Sequence, residues 1–83
     1  MILKELFAII TPNQNILVIL PKNRIVYEYQ GQANDIFGTD KEAWLNKPIH
    51  FISVDRYNNE NVDQYHPPFN DARLRIELKA EKA

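Results

Sequence analysis

The stretch Asn15–Tyr29, reading NILVILPKNRIVYEY, constrains this chain more than any other. Two apolar runs flank Pro21-Lys22-Asn23, and Asn tolerates positive φ, so the stretch reads as a β-hairpin at the heart of a small sheet. Ile16–Leu20 is an unbroken apolar run of strand length, and its β-branched content favours strand over helix. A strand apolar on both faces needs cover on both sides or a central place in the sheet. The return strand runs from Arg24 to Tyr29. Its alternation puts Ile25, Tyr27 and Tyr29 on one side and Val26 and Glu28 on the other, with Gly31 ending it.

The remaining segments read as elements that pack on this hairpin. Leu3, Leu6, Phe7 and Ile10 follow the i, i+3, i+4, i+7 spacing of one helical face, which predicts a helix over Ile2–Ile10 stopped by Thr11-Pro12. So short a helix is unstable alone and must dock its stripe. Thr39-Asp40-Lys41-Glu42 matches a capping box, with Thr39 as N-cap. It predicts a helix from Asp40 to about Asn46, anchored by Trp44 and Leu45 and stopped ahead of Pro48. Ile49–Asp55 reads as a third strand, with Ile49, Phe51 and Ser53 on one face and His50, Ile52 and Val54 on the other. In Arg73–Lys79, Leu74, Ile76 and Leu78 alternate with Arg73, Arg75, Glu77 and Lys79, the pattern of a strand wet on one face. Arg75 and Lys79 would discourage edge-to-edge pairing if that strand lay at an edge.

The expected architecture is therefore α+β, in the order helix-strand-strand-helix-strand-strand. It has a small, mainly antiparallel four-stranded sheet with both short helices on one face. At 83 residues one compact domain spanning 1–83 is expected, with residues 80–83 frayed.

Composition excludes several functions. There is no cysteine, hence no disulfide, thiolate metal site or cysteine nucleophile. A net charge of −1 supplies no bulk field for nucleic acid or an anionic membrane. No apolar run approaches the roughly 20 residues of a membrane span. Lys4 and Glu5 interrupt the apolar start, which reads as a helix and not a signal peptide. Gly31 and Gly38 are the only glycines, so no phosphate-cradling loop is present. Ser53 is the sole serine and has no adjacent base. His66 with Asp63 and Asp71 matches no metal or acid–base spacing. No cofactor, no metal and no enzymatic activity are expected.

One stretch stands apart. Arg56–Ala72, RYNNENVDQYHPPFNDA, has no helical or alternating period and holds four Asn, two Pro and the rings of Tyr57, Tyr65 and Phe69. Loops longer than about 12–15 residues are uncommon in compact domains and are usually functional or disordered. Tyr gives rigid contact area and Asn adaptable hydrogen bonds, so a recognition loop is one reading, with Tyr57, Asn59, Tyr65, His66 and Phe69 as partner contacts. From Asp55 to Asp71 four carboxylates stand against Arg56, a net charge of −3 that prefers a basic or neutral partner. The other reading is a tolerated linker pinned by Phe69. Separately, Arg24, Arg73 and Arg75 are candidates for holding a small anionic, nucleotide-type ligand, in a pocket built by oligomers. With Lys22 and Lys79 they would form a basic patch if the hairpin and the last strand presented the same side, although Glu28 and Glu77 argue for a solvated face of mixed sign.

An LKELFAII helix, then NILVIL, RIVYEYQGQA, a small capped helix and a closing LRIEL strand together resemble the small uncharacterised accessory proteins of phages and prophages of Gram-positive bacteria. The polar Tyr57–Asn70 loop departs from their pattern. The resemblance implies a phage accessory protein in the cytoplasm of a bacterial host, one that disarms a host defence by occupying a host protein. It supplies no catalytic residue. A structural, oligomer-forming phage component is a further alternative, and the oligomeric state stays open, a homodimer included.

Overall fold

A computed structural model describes residues 1–56 and 72–82. The α-helix α1 spans Leu3–Phe7, and the strands are β1 (Asn15–Lys22), β2 (Ile25–Gln32), β3 (Ile49–Arg56) and β4 (Ala72–Leu78). Two 3-10 segments, Ala33–Ile36 and Asp40–Asn46, lie between β2 and β3. The chain is a small α+β fold around one four-stranded sheet of order β2-β1-β4-β3.

The sheet is mixed. β1 pairs antiparallel with β2, and β3 antiparallel with β4, but β1 and β4 run parallel from Ile16↔Leu74 to Ile19↔Glu77. β4 is therefore an interior strand and β3 an outer one. Arg75 and Lys79 do not guard a sheet edge, because β1 and β3 occupy both sides of β4. This order obliges the chain leaving β2 to cross the sheet before it enters β3. The two 3-10 segments lie on that crossing and bury Ala33, Ile36, Trp44 and Leu45.

Those four residues form one cluster with Leu3 and Leu6 of α1 and with Ile16, Val18, Leu20, Tyr29, Ile76 and Leu78 of the sheet. Burying such side chains is worth about 1.5–3 kcal/mol apiece. β1 is buried from Ile16 to Leu20 on both faces, as its composition demands. Leu17 and Ile19 face away from the core cluster. They lie between Gln30 and Arg75 and between Glu28 and Glu77 in register, and are only 5% and 6% exposed. The apolar stems of such long side chains can cover a neighbour while their polar ends stay in water.

Several local details depart from the sequence reading. The hairpin turn is Asn23-Arg24, both at positive φ (55° and 68°), so Pro21 and Lys22 belong to β1. That is the two-residue turn whose twist matches a hairpin. Pro21 is tolerated because its carbonyl, and so its nitrogen, point toward Glu81, whose N–H donates to Pro21 (2.9 Å). α1 is shorter than its stripe implies. The N–H groups of Ala8 and Ile9 donate to Glu5 and Leu6, three residues back, and the helix tightens and ends. The second helix is 3-10, and its capping box is displaced by one residue. Thr39 Oγ1 accepts from Lys41 N–H (3.2 Å), while Glu42 Oε1 accepts from Gly38 N–H (2.8 Å) rather than from Thr39.

The C-terminal tail, expected to fray, is held through residue 81. Asn23 N–H donates to the Glu81 carbonyl, and the Glu81 carboxylate pairs with Lys47. An irregularity between Ile49 and Phe51 sets Ile49 opposite Leu78 and packs it against the core, off the face it would share with Phe51.

Candidate functional site

Among the described residues both outer strands leave apolar side chains uncovered, β2 at Ile25, Val26 and Tyr27 and β3 at Phe51, Ile52 and Val54, and β3 is the one whose exposed run carries no charge. Its register sets Ile52 opposite Ile76 and Val54 opposite Leu74, on the helix-covered face of the sheet, and Phe51 opposite Glu77 on the other. Yet Ile52 is 40% exposed, Val54 62% and Phe51 44%. The cover contributed by α1 and the 3-10 segments sits over β1 and β4 and stops short of β3. Exposed apolar groups scattered singly are ordinary, but three within four consecutive residues on an outer strand are not.

The backbone of β3 is open as well. Lys79 N–H donates to the Pro48 carbonyl (3.0 Å), so residues 79, 77 and 75 direct their main-chain groups toward β3. Their partners Phe51 and Ser53 point back, and the alternation turns the N–H and C=O of Ile52 and Val54 outward. At the start of the strand Ile49 N–H donates to the Met1 carbonyl (2.8 Å), and Ile2 bridges Pro48. Among the described residues nothing pairs with the outer edge beyond that point. From Ile49 to Val54 the strand holds no Lys, Arg, Asp or Glu, and its one titratable side chain, His50, lies edge-on to Phe51 at 5.4 Å. An outer strand with six uncharged residues before Asp55 and Arg56 is a template for another strand.

Hollows among the described residues lie elsewhere. A cavity of about 440 Å³ opens at the start of β1, lined by Asn15, Ile16, Gln30, Gly31 and Arg73. An open cleft of about 190 Å³ runs between the hairpin and the second 3-10 helix, lined by Leu20, Lys22, Tyr27, Asp40, Lys41 and Trp44, with the Lys41 ammonium 5.7 Å from the Trp44 ring centre. Tyr29, beside the first hollow, donates from its hydroxyl to the Gln32 carbonyl (2.7 Å). Burial, and secondarily the Asp35 carboxylate, hold its phenol above the usual value.

The candidates read from sequence fall out as follows. Tyr57, Asn59, Tyr65, His66 and Phe69 lie outside the described residues. The three arginines do not converge within one copy of the chain. Arg73 begins β4 beside the first cavity, and Arg75 lies two residues on, opposite Leu17. Arg24 sits in the hairpin turn next to Lys22, which bridges Glu81 at the other end of β4. The parallel register puts seven or eight residues of strand between the turn and Arg73, about 25 Å, and five or six between it and Arg75, about 18 Å, at roughly 3.3 Å per residue. A basic patch joining the hairpin turn to the start of β4 is thus not built. Phe51, Ile52 and Val54 were not singled out by sequence. The signal that could have found them is the absence of charge on both faces of IHFISV, which marks a problem at either an interior or an outer position.

Among the described residues no group of three or more His, Cys, Asp or Glu is placed to hold a metal ion, and no helix is long and apolar enough to cross a membrane. Comparison of the chain with protein-family models, with curated proteins and with solved structures finds no match.

Proposed function

We propose that this protein is a non-enzymatic binding module that takes a strand of another polypeptide along the outer edge of β3. The observation that carries the reading is the exposure of Phe51, Ile52 and Val54 on a strand that is uncharged from Ile49 to Val54 and whose alternate main-chain groups point away from the sheet. Such an edge gives affinity through main-chain hydrogen bonds and selectivity through alternate side chains. Tyr57, Asn59, Tyr65, His66 and Phe69, in the segment between β3 and β4 that lies outside the described residues, are proposed from the sequence as further partner contacts. The partner is a protein of a bacterial host, and the phage-like pattern of the chain favours stoichiometric inhibition of a defence component in the host cytoplasm.

Immobilised protein exposed to bacterial lysate tests this. The wild type retains one protein in near-equal amount, and Val54→Lys, Tyr65→Ala and Phe69→Ala lose it while melting within a few degrees of the wild type. Unchanged retention by all three variants contradicts the reading, as does unfolding of the Tyr65 and Phe69 variants.

The cavity beside Arg73 favours a second reading, a small ligand whose anionic group meets that guanidinium. Calorimetric titration with a nucleotide panel checks it, and silence across the panel removes it.

A further inference from the structure

We infer that, free of its partner, the chain closes the β3 edge with a second copy of itself, the two β3 strands pairing antiparallel across a two-fold axis at Ser53. This rests on β3 being the docking edge and goes further by naming the strand that occupies it when the partner is absent. An occupant of this edge must itself offer outward main-chain groups at alternate positions. It must also be apolar on both faces and carry no charge against Ile52 and Val54. β3 meets all three conditions.

A two-fold axis through Ser53 sets Ile52 opposite the partner's Val54 and Val54 opposite the partner's Ile52. These are the residues whose N–H and C=O point outward, so the pairing is hydrogen-bonded at both places. On the helix face the four side chains join into one apolar strip flush with the core. The serines meet on the axis, where their small side chains allow close approach and a cross-strand hydrogen bond. An isologous contact of this kind closes on itself and leaves no free β3 edge.

The opposite edge does not offer the same contact. β1 directs the main chain of Val18 and Leu20 to β2, where Tyr29 and Tyr27 answer, so the outward groups of β2 are those of Val26, Glu28 and Gln30. β2 exposes Ile25, Val26 and Tyr27, but Glu28 lies among its outward residues: a two-fold axis through Glu28 brings two carboxylates together, one through Tyr27 sets Glu28 against Val26, and one through Tyr29 sets it against Gln30, so none of these registers gives the uncharged apolar pairing that β3 offers. A β2-to-β3 contact would be heterologous and open-ended. Three half-exposed side chains per copy fall well short of the roughly 1,600 Å² of a standard stable interface. The association is therefore weak and reversible, with a Kd between roughly 10 µM and 1 mM, as suits an edge that must be surrendered to a partner.

Sedimentation of the full chain from about 5 µM to 1 mM tests the inference. The average mass rises from 9.8 kDa toward twice that value with concentration for the wild type, reaching about 1.5 times the monomer at 1 mM even at the weak end of the Kd range. Val54→Lys, which adds a charge to the strip, and Val54→Pro, which removes an outward N–H without touching the bonds to β4, each raise Kd at least tenfold. That factor corresponds to about 1.4 kcal/mol. Val26→Lys on the other outer strand leaves the dimer intact. A wild type monomeric at 1 mM overturns the inference whatever the variants do, and so does a dimer abolished by Val26→Lys but not by the Val54 variants. A monomeric wild type that still retains a lysate protein overturns the dimer alone. A β3 dimer with no lysate partner overturns the binding reading alone.

Discussion

β1 and β3 carry nearly the same message in their side chains, apolar residues on both faces with no charge at the centre, and they meet opposite fates. β1 lies between β2 and β4, and Ile16 through Leu20 are buried on both faces. β3 lies at the outside, and Phe51, Ile52 and Val54 keep two-fifths or more of their surface. The difference is topological. β4 slots in parallel beside β1 and takes the interior place that the composition of β3 would equally have justified. Composition states what a strand needs, and strand order decides whether it gets it. The proposed function takes its docking strand from this difference, an apolar strand denied its second neighbour.

The comparison breaks most sharply under a charge placed at matching sites. Val18→Asp buries an unpaired carboxylate in the core, a cost of several kcal/mol that is comparable to the whole stability of so small a domain. That variant is expected to show no cooperative melt by circular dichroism. Val54→Lys is expected to stay within about 0.5 kcal/mol of the wild type, as for an exposed site. Equal damage at both positions would mean that β3 is covered after all.

Tyr29 sharpens the comparison from the covered side, since it lies across from Val18 and seals the core at β2. Tyr29→Phe removes the bond to the Gln32 carbonyl and should cost about 1 kcal/mol, a fall in Tm of roughly 4–8 °C. Its folded pKa lies above its unfolded value near 10. The stability it contributes is therefore full below about pH 10 and is lost as pH rises through the folded pKa, because the unfolded phenol ionises first. Unfolding in urea between pH 8 and 11 should show the wild type losing stability faster than Tyr29→Phe at the alkaline end.

The smallest effect concerns how β1 is held in place. Arg24 adopts φ 68° in the turn, a conformation that costs an L residue other than Asn or Gly about 1 kcal/mol. Arg24→Gly converts the turn to Asn-Gly and should raise stability by about 0.5 kcal/mol in a urea titration, leaving the exposure of β3 unchanged.

Much of the local structure was legible beforehand, because local chemistry controls it. The hairpin of β1 and β2, the two-sided burial of β1 and the anchoring role of Trp44 and Leu45 follow from period and propensity alone, whereas the alternation of β2 does not carry through to burial, since Ile25, Val26 and Tyr27 are all exposed and only Tyr29 reaches the core. Long-range pairings were not legible. Nothing local in RLRIELK says that it joins β1 in parallel, or that Glu81 reaches Lys47 and the backbone of Pro21 and Asn23. Those contacts close large loops, and their free energy is a property of the assembled sheet. The candidate surface on β3 was not legible for the same reason. Phe51, Ile52 and Val54 become a surface only once β3 is known to be an outer strand, and the separation of Arg24 from Arg73 follows only from the parallel register.

Amide hydrogen exchange across β3 tests the central claim most directly. At about 5 µM the amides of Ile52 and Val54 should exchange as freely as exposed backbone, those of Phe51 and Ser53 should be protected by β4, and Val18 should be among the slowest. Raising the concentration toward 1 mM should slow Ile52 and Val54 alone. If these two amides are as protected as Val18 in the most dilute sample, the outer edge of β3 is already filled by the chain itself and is not an open docking strand.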